Sequence, residues 1–311
     1  MMERVTILGT GTMGHSIAIS VAEAKFPVTI YGLNDEEIDQ AISGIQQKMT
    51  VLIENQVFNQ EEYHALLEHI RFSKNLQEAT EDASIIIEAI PENIELKQNV
   101  LQEIERYCPV DTIFASNSSS LPPTRIAEKL DYPERMVGTH FWNPAHLIPL
   151  VEIIRGEKTK DEYIDRIYTF IQRINKQPIM VEKEVVGFIG NRLQFALLRE
   201  AQYLYESGVA SIEDIDKAVE LSIGRRLSVT GPLMTADLGG LDVFKAISDY
   251  TFPDMSNHTE AFSSMNDLVE EGHLGEKSGQ GYYDWPIEKS KKIKQAREKE
   301  LIRWLKKESK E

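Results

Sequence analysis

Gly9-Thr10-Gly11-Thr12-Met13-Gly14 spaces three glycines as G-x-G-x-x-G, directly after the apolar run Val5-Thr6-Ile7-Leu8 and directly before a helical pattern. In that setting the spacing has a physical meaning. Gly9 permits a tight turn, Gly11 lets the main chain approach a pyrophosphate, and Gly14 lets helix and strand pack closely. The helix start then offers free N–H groups and a positive dipole end to phosphate. A dinucleotide is therefore expected against Gly9, Gly11, Thr12, Met13 and Gly14. The acidic residue that ordinarily ends the second strand and holds the ribose 2′-OH is absent, because Gly32 stands there, in Ile30-Tyr31-Gly32-Leu33-Asn34-Asp35. Asn34 or Asp35 could reach round to that hydroxyl. A 2′-phosphate would want Arg or Lys, and residues 26–47 contain neither. NAD is accordingly expected in preference to NADP.

A loop of this kind has to be held by a parallel sheet. Strand-like runs occur at Val5–Leu8, Val28–Tyr31, Ile85–Glu88, Thr112–Ala115, Met136–His140 and Leu150–Ile153, with helical stretches such as Ile94–Arg106 between them. That alternation predicts a Rossmann-type, doubly wound parallel sheet. Residues 35–70 read as a polar helical excursion without a strand. From Gly187 onward helical patterns dominate, with Phe188, Leu193, Leu197 and Leu204 on one face of a long helix and Ser211 opening the next. The expected organisation is a dinucleotide-binding domain over 1–183 and a mainly α-helical domain over 184–311. The final segment, 287–307, is amphipathic and basic, with Ile293, Leu301 and Leu305 as a narrow apolar seam. A solvated terminal helix is its default reading.

Composition narrows the function classes. The 311 residues carry a formal net charge of -16, and the last 26 residues carry +5 of it on their own. So acidic a body repels nucleic acid. No apolar run approaches a membrane span, and no basic segment followed by an apolar one opens the chain, so a cytoplasmic protein is expected. The single cysteine, Cys108, excludes an intrachain disulfide and reads as a small semi-buried side chain. No metal site is expected.

Four segments in order, the glycine loop, Ser116-Asn117-Ser118-Ser119-Ser120-Leu121, His140-Phe141-Trp142-Asn143-Pro144 with Leu150-Val151-Glu152, and Gly187-Phe188-Ile189-Gly190-Asn191-Arg192, resemble the 3-hydroxyacyl-CoA dehydrogenase family. Lys277-Ser278-Gly279-Gln280-Gly281-Tyr282-Tyr283 is similar to the family's closing motif, and the likeness runs from residue 3 to about 285. It implies an NAD-dependent enzyme that oxidises a secondary alcohol. His140 would be the general base and Glu152 its orienting carboxylate. Ser119 and Asn191 would hydrogen-bond the substrate around the reacting carbon, Asn191 from the second domain, with the cleft between domains as the active site. Glu92, Lys97, Asn143 and Lys277 would line the cofactor, and a homodimer would form through the helical domain. On residue type alone, Ser119 equally suits a helix cap, Asn191 a local turn, and Glu92 with Lys97 a solvated charge set. His146 matches nothing and reads as a loop residue.

The resemblance leaves the substrate open. Family members acting on CoA thioesters place basic residues on the excursion after the second strand, whereas residues 33–70 here hold Lys48 alone against eight carboxylates. Three accounts follow, and the first, interconversion of a 3-hydroxyacyl-CoA and a 3-ketoacyl-CoA, is the expected one because the catalytic segments match it closely. The basic tail supplies the missing charge to a 3-hydroxyacyl-CoA; or the substrate is a small hydroxy acid or alcohol without CoA, as in enzymes resembling carnitine, gulonate and pyridoxine-degradation dehydrogenases; or the chain binds NAD without catalysis. The stretch Tyr132–Gly138 through Leu147–Leu150 looks particularly like the pyridoxine-degradation group.

Overall fold

The computed structural model describes residues 2–308. Two compact units emerge, one of residues up to Asn191 together with those from Arg297, the other of Arg192–Ala296. The end of the chain thus belongs with the first unit, not with the helical domain in which the sequence pattern places it.

The first unit is built on β1 (Val5–Leu8), α1 (Thr12–Glu23), β2 (Val28–Tyr31), α2 (Asp35–Glu54), α3 (Gln60–Leu67), β3 (Ile70–Ser73), α4 (Leu76–Thr80), β4 (Ile85–Glu88), α5 (Ile94–Ile104), β5 (Ile113–Ser116), α6 (Pro123–Ile126), β6 (Met136–Phe141), β7 (Leu150–Arg155), α7 (Asp161–Arg173) and β8 (Gln177–Val181). The strands form one sheet in the order β3-β2-β1-β4-β5-β6-β7-β8. β1, β4 and β5 are buried at every residue, as expected of strands covered by helices on both faces. All neighbours are parallel except β6 and β7. That antiparallel pair was not foreseen, nor were β3 and β8. β3 is four residues at the sheet's edge, only Ile70 of it buried, and β8 opens with exposed Gln177 and carries Pro178, so neither shows an apolar run.

The second unit is helical: most of α8 (Gly190–Glu206), then α9 (Ile212–Ala218), a π-helical turn over Val219–Ile223, α10 (Gly224–Leu227), α11 (Pro232–Gly239), α12 (Leu241–Thr251), α13 (Ser263–Glu270) and the start of α14 (Ile287–Glu308). Ser211 caps α9 by accepting the Asp214 N–H at 3.1 Å. Phe188 does not lie on α8 as the periodicity suggested. It precedes that helix with φ 51° and is fully buried, while Leu193 and Leu197 are exposed. The end of α14 is not a solvated helix either: Ile302 is 3% exposed and, with Leu301 and Leu305, packs on the apolar core under α1 and α2.

Candidate active site

The antiparallel pairing of β6 and β7 sets His140 directly opposite Glu152. His140 Nδ1 lies 2.6 Å from Glu152 Oε2. A carboxylate only accepts, so Nδ1 carries the proton and Nε2 keeps its lone pair. Trp142 Nε1 donates to the same oxygen at 3.3 Å. Glu152 Oε1 accepts the main-chain N–H groups of Ile189 at 2.9 Å and Gly190 at 3.0 Å. These are orphan donors at the start of α8, and the carboxylate is the anion that satisfies them. Glu152 is wholly buried. Burial pushes its carboxyl up, but the hydrogen bonds from His140, Gly190 and Ile189 outweigh that and hold it below the ordinary carboxylate value.

The turn before α8 is shaped for this contact. Gly187 and Phe188 both have positive φ, 77° and 51°, and Gly187 adopts that region without steric cost. A Cβ on Gly190 would sit 2.3 Å from the Trp142 ring, so only glycine lets the helix start reach Glu152. The rings of Trp142 and Phe188 lie 5.5 and 5.6 Å from the His140 imidazole. Sequence reasoning passed over Trp142, Phe188 and Gly190 as parts of the site, although all three stand inside the matched segments.

Asn191, the second residue of α8, donates from Nδ2 to the Ser119 carbonyl at 3.3 Å, so the two residues expected to flank the reacting carbon do meet. Ser119 is exposed. It caps no helix, since α6 opens at Pro123 without a side-chain cap, and Ser118 Oγ accepts the Leu121 N–H at 2.8 Å within the turn before it. Asn117 Oδ1 accepts the Phe141 N–H at 2.9 Å, joining the serine-rich turn to the end of β6. Asn143 is exposed and precedes a cis Pro144. Lys277 is exposed in the second unit, in the turn Glu276–Ser278.

Lys97 is not a solvated charge, although Glu92 beside it is exposed. Lys97 is 1% exposed and its ammonium meets Glu88 Oε1 at 2.6 Å, Glu92 Oε2 at 3.2 Å and the Ile90 carbonyl at 3.2 Å. Glu92 also accepts from Ser118 and Ser120, so Lys97 ties the end of β4 to the serine-rich turn. Glu88 had escaped notice, although a lone acid ending the run Ile85-Ile86-Ile87 was the signal for it. Burial raises its carboxyl against the opposing Lys97 charge. His146 is no plain loop residue. It is 6% exposed, pairs through Nδ1 with Ser16 Oγ at 2.8 Å, and is pushed down to about 3 by burial and then by the charges of Lys48, Lys176 and His15.

The glycine loop divides its labour visibly. Gly9 has φ 113° and a Cβ there would meet the Ala89 carbonyl oxygen at 2.7 Å, while on Gly14 a Cβ would lie 2.0 Å from the Gly9 carbonyl oxygen. On Gly11 it would meet nothing within 4 Å, and no side chain caps α1. The protein itself thus needs Gly9 and Gly14, whereas Gly11 borders open space over an uncapped helix start, which fits a dinucleotide pyrophosphate. A Cβ on Gly32 would press on the Thr10 methyl at 2.7 Å and crowd the end of Ile38 at 3.1 Å, so a larger residue there would have to move both side chains. Asn34 is spent capping α2 through the Glu37 N–H, and Asp35 pairs with Lys74 at 2.6 Å.

Comparison with known proteins agrees with this architecture. The profile described as 3-hydroxyacyl-CoA dehydrogenase, NAD binding domain, matches residues 4–185, and that described as 3-hydroxyacyl-CoA dehydrogenase, C-terminal domain, matches 187–285. The chain belongs to the 3-hydroxyacyl-CoA dehydrogenase family and is an NAD-dependent oxidoreductase. It is 35% identical to the 5-formyl-3-hydroxy-2-methylpyridine 4-carboxylate 5-dehydrogenase of Mesorhizobium japonicum over 302 residues, 97% of each chain. It is 33% identical to a probable 3-hydroxybutyryl-CoA dehydrogenase of Bacillus subtilis over 285 residues, 91% of this chain and 98% of the relative. A crystal structure described as 5-formyl-3-hydroxy-2-methylpyridine 4-carboxylic acid 5-dehydrogenase, an NAD+ dependent dismutase, superimposes with a TM-score of 0.90 at 35% identity over 97% of both chains.

Proposed function

We propose that this protein is an NAD-dependent dehydrogenase of a compact, carboxylate-bearing alcohol or hydrated aldehyde that carries no CoA, of the kind named for the Mesorhizobium relative. The observation that carries the reading is where the likenesses end. The match to that relative spans 302 residues and so must run into α14, whereas 285 residues account for 98% of the Bacillus relative. The net negative charge of residues 33–70 supports it, since like charge penalises a polyanion at a binding face. The second reading, a 3-hydroxyacyl-CoA substrate, is favoured by the family profiles and the Bacillus relative. Incubation of 5-formyl-3-hydroxy-2-methylpyridine 4-carboxylate with NAD+, and of acetoacetyl-CoA with NADH, separates the two. Turnover of the pyridine is expected, and turnover confined to the thioester would overturn the first reading.

NAD, when bound, supplies the acceptor for the hydride that leaves the carbinol carbon. The protein's part is the proton. His140 Nε2 takes it from the substrate hydroxyl as the C–O bond gains double-bond character, and in the reverse direction returns it to the carbonyl oxygen. Glu152 holds the tautomer and steadies the imidazolium, as the acid of a catalytic triad does. Ser119 and Asn191 are assigned to the substrate oxygen, where donors stabilise developing charge. Gly9, Gly11, Thr12, Met13 and Gly14 are assigned to the cofactor, with Glu92, Lys97, Asn143 and Lys277 along its length.

The glycines offer a test in which ligand and fold separate. Gly11→Ala is expected to leave the melting temperature unchanged while weakening NADH binding. Gly14→Ala is expected to lower stability by about 1–3 kcal/mol as well, because the loop must open around the new methyl. Fluorescence titration with NADH and thermal melting read both, and equal destabilisation by the two variants would contradict the assignment.

A homodimer and a cytoplasmic location complete the proposal. No helix among the described residues is long and apolar enough to cross a membrane. In α11 and α12 no residue is buried, and Leu233, Leu238 and Leu241 are 84%, 75% and 62% exposed. Apolar side chains this exposed on two consecutive helices ask for a partner, and a second copy is the one proposed. Light scattering should give twice the chain mass, and Leu233→Asp should shift it toward the monomer. A wild-type monomer would contradict the proposal.

A further inference from the structure

The turn between β6 and β7, residues 142–149, carries an anchor that the chemistry above leaves unused. Ala145, His146 and Leu147 are buried, whereas Asn143, just before them, is exposed. Ser16 of α1 is buried against them, and its Oγ accepts the His146 main-chain N–H at 3.1 Å. One hydroxyl proton remains, and His146 Nδ1 receives it at 2.8 Å. His146 Nδ1 is therefore an acceptor, the reverse of His140 Nδ1. Burial and the charges of Lys48, Lys176 and His15 keep the ring neutral, as an acceptor must be. One turn further along α1, Ser20 Oγ donates to the Ala145 carbonyl at 3.4 Å. The same carbonyl takes the Lys176 ammonium at 2.6 Å, and Lys176 also meets the Ile148 carbonyl at 3.2 Å.

Ala145 and Leu147 pack in the apolar core with Ile17 and Ile19 of α1. Apolar side chains at Ser16 and His146 would serve packing there as well. What the polar pair adds is direction, since a buried and satisfied hydrogen-bonded pair specifies one arrangement where apolar contacts allow several. The sheet shows what is being held. β6 runs parallel to β1 through β4 and β5, so its end lies at the same edge as the glycine loop. In a fold of this kind the adenosine ribose belongs at the end of β2 and the pyrophosphate at the start of α1. The nicotinamide end then belongs on the other side of β1, toward β4, β5 and β6. His140 stands at the end of β6 and Asn143 in the turn that follows.

We propose that Ser16 and His146 are positioning residues, which fasten the turn bearing Asn143 to the cofactor helix α1 and so set Asn143 against the nicotinamide end of the dinucleotide. Their action is through Asn143, and the inference rests on the assignment of Asn143 to the cofactor made above. A side chain exposed at the tip of a turn is held to a binding geometry only if the turn behind it is fixed. Here the fixing runs straight from the helix that receives the pyrophosphate.

ADP-ribose, the dinucleotide without its nicotinamide, separates the two ends of the cofactor. Fluorescence titration of the full chain with NADH and calorimetric titration with ADP-ribose give the two affinities for each variant. Ser16→Ala and His146→Leu should each weaken NADH by about three- to tenfold, the worth of one neutral hydrogen bond, and leave ADP-ribose unchanged. His146→Asn should regain most of the NADH affinity, because an asparagine Oδ1 stands near the place of an imidazole Nδ1 and accepts from Ser16. Ser16→Ala carries the test alone should the leucine variant fold poorly. Equal weakening of NADH and ADP-ribose would overturn the proposal, since the pair would then only support the glycine loop. So would unchanged affinity for both ligands, or an asparagine variant that binds NADH no better than the leucine one. Asn143→Ala in the same titrations keeps the two inferences apart. It should weaken NADH alone. That result beside unchanged Ser16 and His146 variants would leave Asn143 on the cofactor and remove the positioning role, whereas unchanged NADH affinity in Asn143→Ala would remove both.

Discussion

Glu152→Gln should lower kcat by up to about 10⁴-fold, the cost of the same exchange in a Ser–His–Asp triad, and destabilise the fold at the same time. The four groups that converge on this side chain, His140 Nδ1, Trp142 Nε1 and the N–H groups of Ile189 and Gly190, are all donors. A carboxylate satisfies all four. An amide turns one of its two ends into a donor and must set it against another donor, either at the imidazole or at the start of α8. The first choice reverses the His140 tautomer and removes the Nε2 lone pair. The second leaves buried N–H groups unpaired, at about 1–3 kcal/mol. Activity and thermal stability should therefore fall together. The pH dependence has a definite sign. Because folding holds the Glu152 carboxyl below its ordinary value, the carboxylate contributes stability that is complete above the ordinary value. That contribution is lost as pH falls through the folded one. The variant should lose this part of the acid sensitivity, as acid denaturation of the two proteins side by side would show. Wild-type kcat in the Glu152→Gln protein would remove Glu152 from the account.

The parts of this site that could be read from the residues are those whose meaning is local. The glycine loop is one, since turn, phosphate and packing each need a glycine at a fixed spacing, and the geometry separates the three roles at Gly9, Gly11 and Gly14. His140 and Glu152 were named together through their family segments. Their direct opposition, however, depends on the antiparallel pairing of β6 with β7, and strand direction leaves no mark on either strand. β3 and β8 were illegible for a related reason: edge strands with exposed positions lack the continuous apolar run of β1 or β4. Lys97 shows the opposite failure. A lysine near two glutamates on a helix has the pattern of a solvated charge set, and only the sheet's closure over Glu88 makes it a buried ion pair. Gly32 is a third kind of case. Its missing carboxylate was plain, but the approach of the Thr10 and Ile38 side chains to it is tertiary. The apolar seam of α14 was visible as Leu301 and Leu305, and its docking on the first unit's core was not.

The central claim is that His140 Nε2 is the group that takes the proton when hydride leaves the substrate. It is tested most directly by the single-turnover rate of hydride transfer in His140→Gln, with NADH affinity measured on the same preparation. Glutamine can fill the space beside Trp142 and Phe188 and donate to Glu152, so the fold and the cofactor loop are left intact. It cannot accept a proton near neutral pH. The account predicts a loss of about 10²–10⁴-fold in the rate, the usual worth of a positioned general base. It also predicts an unchanged Kd for NADH. Hydride transfer at the wild-type rate in the His140→Gln protein would contradict it and place the base elsewhere.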